Sequence, residues 1–211
     1  MRVAARTLDW LGVKGHLRTI HETAPRLLVG GVLIGGAACL AYRALLDAAK
    51  DPDFYSPAFS PEEEEVLLSK DLDFANLDAA TAELVDAVPI GRLQFGVRLG
   101  SDDFRDGSRP LKLSYDDGVA FSVLIADPLD LYRKKDATAV KLGRPQDGLH
   151  RAILAEFVKW ELAAVAAEAG SDLIRLSEYG KLRSRCCDYA PELFRDTALV
   201  ERLAAIENES F

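Results

Sequence analysis

A chain of 211 residues, 49% of them apolar, suits one medium domain or a smaller domain with appendages. Its net charge of −8 argues against nucleic acid as a partner, because phosphate binding needs clustered Lys and Arg. Three cysteines, two of them adjacent at Cys186 and Cys187, exclude a disulfide framework.

Residues 1–25 form a basic N-terminal arm. Its opening, "MRVAARTLDWLGVKGHLRTIHE", is Arg-bearing and acid-poor, with apolar residues interspersed. That pattern fits a surface or interfacial helix, and it also fits a mitochondrial targeting segment that is retained. A bacterial inner membrane is the competing location.

Residues 26–46, "RLLVGGVLIGGAACLAYRALL", read as a transmembrane helix. Leu27 to Tyr42 carries no charge, and continuing to Leu46 gives about the twenty residues a span needs. Arg43 would then snorkel to the headgroups. Charge changes sign across the stretch. Residues 1–26 hold five cations against two acids, and residues 47–86 hold two lysines against twelve acids. Positive flanks stay on the side of synthesis, so the arm is expected in the matrix or cytoplasm and residues 47–211 opposite. Gly31, Gly35 and Cys39 recur every four residues, a small-residue face for packing on another helix. The alternatives are a cleaved signal, or a buried helix in the core of a soluble enzyme.

Residues 47–61 read as an extended linker, with Pro52, Pro57 and Pro61 limiting helix. Its aromatics Phe54, Tyr55 and Phe59 are expected to pack on a neighbouring surface. Residues 62–211 are expected to form an α+β domain, mostly helical. Ser60-Pro61-Glu62-Glu63 starts a helix, with Ser at the N-cap and acids in the first turn. A second helix is expected over 78–87. Alternation in "RLQFGVRLG" (92–100), in "LKLSY" (111–115) and in "VAFSVLIA" (119–126) predicts an antiparallel β-meander, with "DDG" at 116–118 as its last turn. Asp127-Pro128 caps a helix to about 135. A long helix follows from 149 to 169 and ends at Gly170. Ser171 or Asp172 caps the next, and Pro191 opens the last.

Candidate chemistry is sparse. Asp102, Asp103, Asp106, Asp116 and Asp117 could supply oxygen ligands to a cation, but their spacing matches no calcium loop and Asp is common in turns. The three histidines, His16, His21 and His150, gather no site, and His150 reads as a surface or capping residue. No glycine-rich phosphate loop with its Lys occurs. No catalytic residue, metal or cofactor is therefore expected. The reading is a non-catalytic, single-pass accessory subunit of a membrane complex, most naturally a respiratory-chain or ATP synthase complex of the mitochondrial inner membrane. Its partners would be lipid and other membrane subunits, met through the span and the linker aromatics. The alternative is a bacterial membrane-anchored module that recruits a basic partner.

Overall fold

The apolar stretch 26–46 does not form one helix. It divides into α1's successor α2 (Arg26–Gly30), strand β1 (Val32–Ile34) and helix α3 (Gly35–Ala49), where α1 is Trp10–Thr23. Gly31 is extended, at φ −80° and ψ 141°, and Gly35 lies in the left-handed region at φ +71°. Each glycine breaks the helix, and the β-branched Val32 and Ile34 between them favour a strand. The structure is a computed structural model that describes residues 9–51, 57–69, 72–77, 96–97, 104, 107–170 and 172–210.

Among the described residues no helix is long and apolar enough to cross a membrane. The transmembrane helix expected over 26–46 is thereby overturned, and with it the single-pass location, the mitochondrial inner membrane included. Arg18 of the arm pairs with Asp117 at 2.5 Å, although the two were expected on opposite sides of a membrane. Arg43, expected among headgroups, forks onto Glu64 with two 2.7 Å hydrogen bonds and lies over the Phe59 ring at 5.5 Å.

Two compact units divide the chain. Unit 1 comprises residues 1–44 and 59–127. It holds α1, α2, most of α3, α4 (Pro61–Leu67) and five strands among the described residues. These are β1, β2 (Asp73–Ala75), β3 (Gly96–Val97), β4 (Arg109–Ser114) and β5 (Ala120–Ile125). Their order is β3-β2-β1-β5-β4. β1 runs antiparallel to β2 and parallel to β5, and β2 runs parallel to β3. Only the β4–β5 hairpin, turning through Asp116–Gly118, matches the expected meander. β3 pairs with β2 instead of β4, so the meander becomes a mixed sheet. The fold is mostly helical with this small sheet. The helix expected over 78–87 lies outside the described residues.

α1 is a packed part of unit 1 and not a free arm. Val13, Leu17 and Ile20 fall on one face and are fully buried. The Asp9 side chain caps its first turn, accepting from the Gly12 amide at 2.8 Å. Lys14 donates to the Ser114 carbonyl at 3.1 Å, and the Tyr115 hydroxyl donates to the Lys14 carbonyl at 2.7 Å. His21 stacks on Phe121 with ring centroids 4.2 Å apart. α4 starts as the sequence predicts, with Ser60 and Glu63 forming a capping box.

Unit 2 comprises residues 45–58 and 128–211. Its helices are α5 (Pro128–Leu142), α6 (Pro145–Ala169), α7 (Leu173–Tyr189), a 3₁₀ turn (Pro191–Arg195) and α8 (Thr197–Ser210). Gly170 ends α6 at φ +46°, and Asp172 caps α7, as predicted. α6 buries Ile153, Leu154, Phe157, Val158 and Leu162, and also His150, which is a core residue and not the surface cap expected. Polar ties join the helices. Lys135 donates to Asp147 at 2.6 Å, Lys159 to Asp196 at 2.5 Å, and Tyr132 meets both Glu192 and Arg151.

Candidate functional site

The C-terminal end of β1 gathers what chemistry unit 1 offers. From Gly31 to Tyr42 the chain is buried except at Gly35 and Gly36, where it is half-exposed. These two glycines make the turn into α3. The first amides of a helix have no partner within it and carry the positive end of the helix dipole, and at α3 they lie beside Asp73, with Ala37 and Ala38 fully buried.

Carboxylates arrive from the strands on both sides of β1. Asp73 opens β2 and pairs with Ile34, the last residue of β1. Its side chain presses on the turn. A Cβ at Gly35 would overlap Asp73 Oδ2 and lie 3.2 Å from its Cβ and Cγ. From the other side, β5 runs parallel to β1 with Ile125 opposite Leu33, and the Ala126 amide donates to the Leu33 carbonyl at 3.0 Å. Asp127 follows at once. It is only 2% exposed, and Arg109 Nη2 lies 3.3 Å from its Oδ2. Gly107, at φ +88°, lets the approach to β4 run close by, since a Cβ there would sit 3.3 Å from Asp127 Cβ. The buried Tyr42 hydroxyl donates to the Ala126 carbonyl at 2.6 Å, fixing the backbone next to Asp127.

Hard divalent cations take oxygen ligands, and Mg²⁺ is commonly held by one or two carboxylates together with the phosphates of its substrate. A helix N-terminus opened by glycines accepts phosphate oxygens through backbone amides. Asp73 and Asp127 could hold the cation, and the α3 amides the phosphate. Among the described residues no three His, Cys, Asp or Glu side chains gather to hold a metal alone, so such a site would need substrate oxygens to complete it. Asp71, two positions before Asp73, lies outside the described residues.

The residues singled out from the sequence fall elsewhere or apart. Gly31, Gly35 and Cys39 do not share a helix face, because β1 separates Gly31 from the other two. Gly31 sits where a Cβ would strike Leu77 and Phe74, and buried Cys39 donates to the Gly35 carbonyl at 3.2 Å. Asp116 and Asp117 are exposed in the hairpin turn. The hydrogen bond from Arg18 holds the Asp117 carboxyl below its ordinary range. Asp102, Asp103 and Asp106 lie outside the described residues, as do Phe54 and Tyr55 of the linker. Cys186 is buried and Cys187 exposed. Sequence reasoning passed over Asp73, Asp127 and Arg109. The available signal was "KDLDF", two acids one residue apart ahead of an apolar residue, downstream of a glycine-flanked apolar run.

No protein-family model matches the chain, and no curated protein or solved structure is significantly similar to it.

Proposed function

We propose that unit 1 is a divalent-cation-dependent transferase acting at a phosphate of a nucleoside triphosphate. One observation carries this reading: Asp73 of β2 presses on the half-buried Gly35 turn that opens α3, and the buried Asp127 follows β5 on the other side of β1. In this scheme the carboxylates hold the cation against the phosphate chain. The α3 amides take non-bridging oxygens and stabilise charge that builds at phosphorus. An acceptor oxygen attacks phosphorus, the bond to the departing phosphate chain breaks, and the acceptor's proton leaves to a carboxylate or water.

The test uses the full chain with Mn²⁺ or Mg²⁺ and triphosphates labelled at the α or γ position. Label should transfer, or pyrophosphate or phosphate should be released, only with the cation present. Asp73→Asn and Asp127→Asn, checked for folding by circular dichroism, should each lower the rate about a hundredfold or more. A wild-type chain that neither turns over a triphosphate nor gains thermal stability with cation plus triphosphate refutes the reading.

A second reading, a non-catalytic subunit of a larger protein assembly, draws on unit 2. Leu173 and Ile174, adjacent at the start of α7, are 82% and 74% exposed. Large apolar side chains left in water at neighbouring positions suit a protein contact. Asp-to-Asn changes at the unit 1 site would leave that function intact, whereas Leu173→Ser with Ile174→Ser would remove it.

A further inference from the structure

We propose that the tip of the α5–α6 hairpin in unit 2 docks on the surface of an anionic lipid bilayer. Val140 and Leu142 enter the headgroup layer, and Lys141 and Arg144 meet the lipid phosphates. The contact is at the surface and requires no membrane-crossing helix. It is independent of the carboxylates of unit 1.

Residues 137–146, "ATAVKLGRPQ", hold two cations and no acid, in a chain whose net charge is −8. α5 ends at Leu142 and α6 begins at Pro145, so only Gly143 and Arg144 connect them. Gly143 closes α5 at φ +57°, its amide donating to the Ala139 carbonyl at 3.0 Å, and Pro145 takes the first position of α6. The tip is therefore built in place, and docking need not order it. Every residue from 140 to 145 is exposed, Val140 at 78% and Leu142 at 56%. A cation in the last turn of a helix answers the dipole, which accounts for Lys141 but not for two large apolar side chains in water. Deeper in the hairpin the cations are neutralised, Lys135 by Asp147 at 2.6 Å and Arg151 by Asp136 at 3.1 Å. Among the described residues, Lys141 and Arg144 have no such carboxylate. Apolar side chains interleaved with unneutralised cations are the complement of an anionic bilayer surface, where the acyl boundary lies about 5–10 Å below the phosphates. A stable protein interface takes about 20–30 residues a side, far more than the six exposed residues 140–145 supply. The chain as a whole is repelled by such a surface, but charges more than about 8 Å away are screened at physiological ionic strength, so the tip acts by its own charge.

The test floats the full chain with phosphatidylcholine vesicles, with or without about 30% phosphatidylserine. Wild type should bind the anionic vesicles about tenfold more tightly than the neutral ones, and should lose that preference in about 1 M salt. Lys141→Gln with Arg144→Gln should weaken binding to anionic vesicles about tenfold or more. Val140→Ser with Leu142→Ser should weaken it about tenfold as well, through lost insertion. The same loss of charge at exposed residues outside the tip, Lys112→Gln with Lys181→Gln, should change it by less than about twofold. All these sites are exposed, so the variants should keep the helical circular dichroism of wild type. Leu142→Trp, read as its difference from wild type, should shift its emission to the blue on anionic vesicles and be quenched by lipids brominated in their acyl chains. Wild type that ignores anionic vesicles overturns the proposal, and so does an equal loss in the tip and control pairs. If sedimentation instead shows a dimer that Val140→Ser with Leu142→Ser dissociates, while vesicles leave the Leu142→Trp emission unchanged, the tip is a contact between copies and lipid docking is overturned.

Discussion

Gly35 carries two constraints at once, and they can be separated. Its φ of +71° excludes most side chains on backbone grounds, and a Cβ would also strike Asp73. Gly118 supplies the control, with φ +84° and nothing within 4 Å of where a Cβ would stand. Gly118→Ala should therefore cost only the left-handed backbone term, about 1–2 kcal/mol. Gly35→Ala should cost more than that, about 2–4 kcal/mol in urea unfolding, because Asp73 must move as well. It should also weaken Mn²⁺ binding, whereas Gly118→Ala should not. Equal losses in the two variants would mean that the Asp73 contact at Gly35 adds nothing. Gly31 makes a different point. Its φ is ordinary, yet Leu77 and Phe74 crowd it, so Gly31→Leu should disrupt unit 1 and not merely spread a helix pair.

Local signals in single elements were largely legible. Ser60 announced its N-cap, Gly170 and Asp172 their helix boundary, and Asp116-Asp117-Gly118 its hairpin turn, because each is decided by residues within one or two turns. β1 was not legible. A strand with neighbours on both sides and all three residues buried shows no alternation, and a short apolar run cannot be told from helix by period. The site was hidden for a related reason. Asp73 and Asp127 come to the two sides of β1 only through its pairings with β2 and β5, and Asp127 beside Pro128 reads locally as a helix cap. Among the helices, the Tyr132 hydroxyl joins α5 to Glu192 of the 3₁₀ turn and to Arg151 of α6. Burial first, then the hydrogen bond to Glu192, push this phenol up to about 12 from an ordinary 10. A raised folded value means that its contribution is fully present below pH 10 and is lost as pH rises toward 12. Wild type should thus lose stability over that window. Tyr132→Phe should be about 1 kcal/mol less stable at neutral pH and should lose less on going alkaline, as followed by circular dichroism and tyrosinate absorbance. An unchanged alkaline profile in the variant would show that Tyr132 does not titrate with unfolding.

The whole molecule is not cut where its sequence suggests. The chain leaves unit 1 inside α3, returns at Phe59, and leaves again after Asp127, so unit 2 is assembled from residues 45–58 and 128–211. Most of the smaller piece falls in the stretch 47–61, whose prolines suggest an extended linker. In the fold it belongs to unit 2, and Arg202 on α8 holds Asp51 through contacts of 3.3 and 3.2 Å. Leu46, on the last part of α3, is 1% exposed. Two consequences can be measured. In a double-mutant cycle, Asp51→Ala and Arg202→Ala should show a coupling of about 0.5–1 kcal/mol, the range of a partly exposed ion pair. A protein of residues 128–211 alone should be less stable than the same chain carrying residues 45–58 on a flexible linker. The difference should be about 2 kcal/mol or more, since the fragment lacks both the ion pair and the apolar side chain of Leu46. Urea unfolding of the two proteins, followed by helical circular dichroism, decides the matter. If the shorter chain unfolds at the same midpoint, then residues 45–58 add nothing to unit 2 and the second unit begins at Pro128.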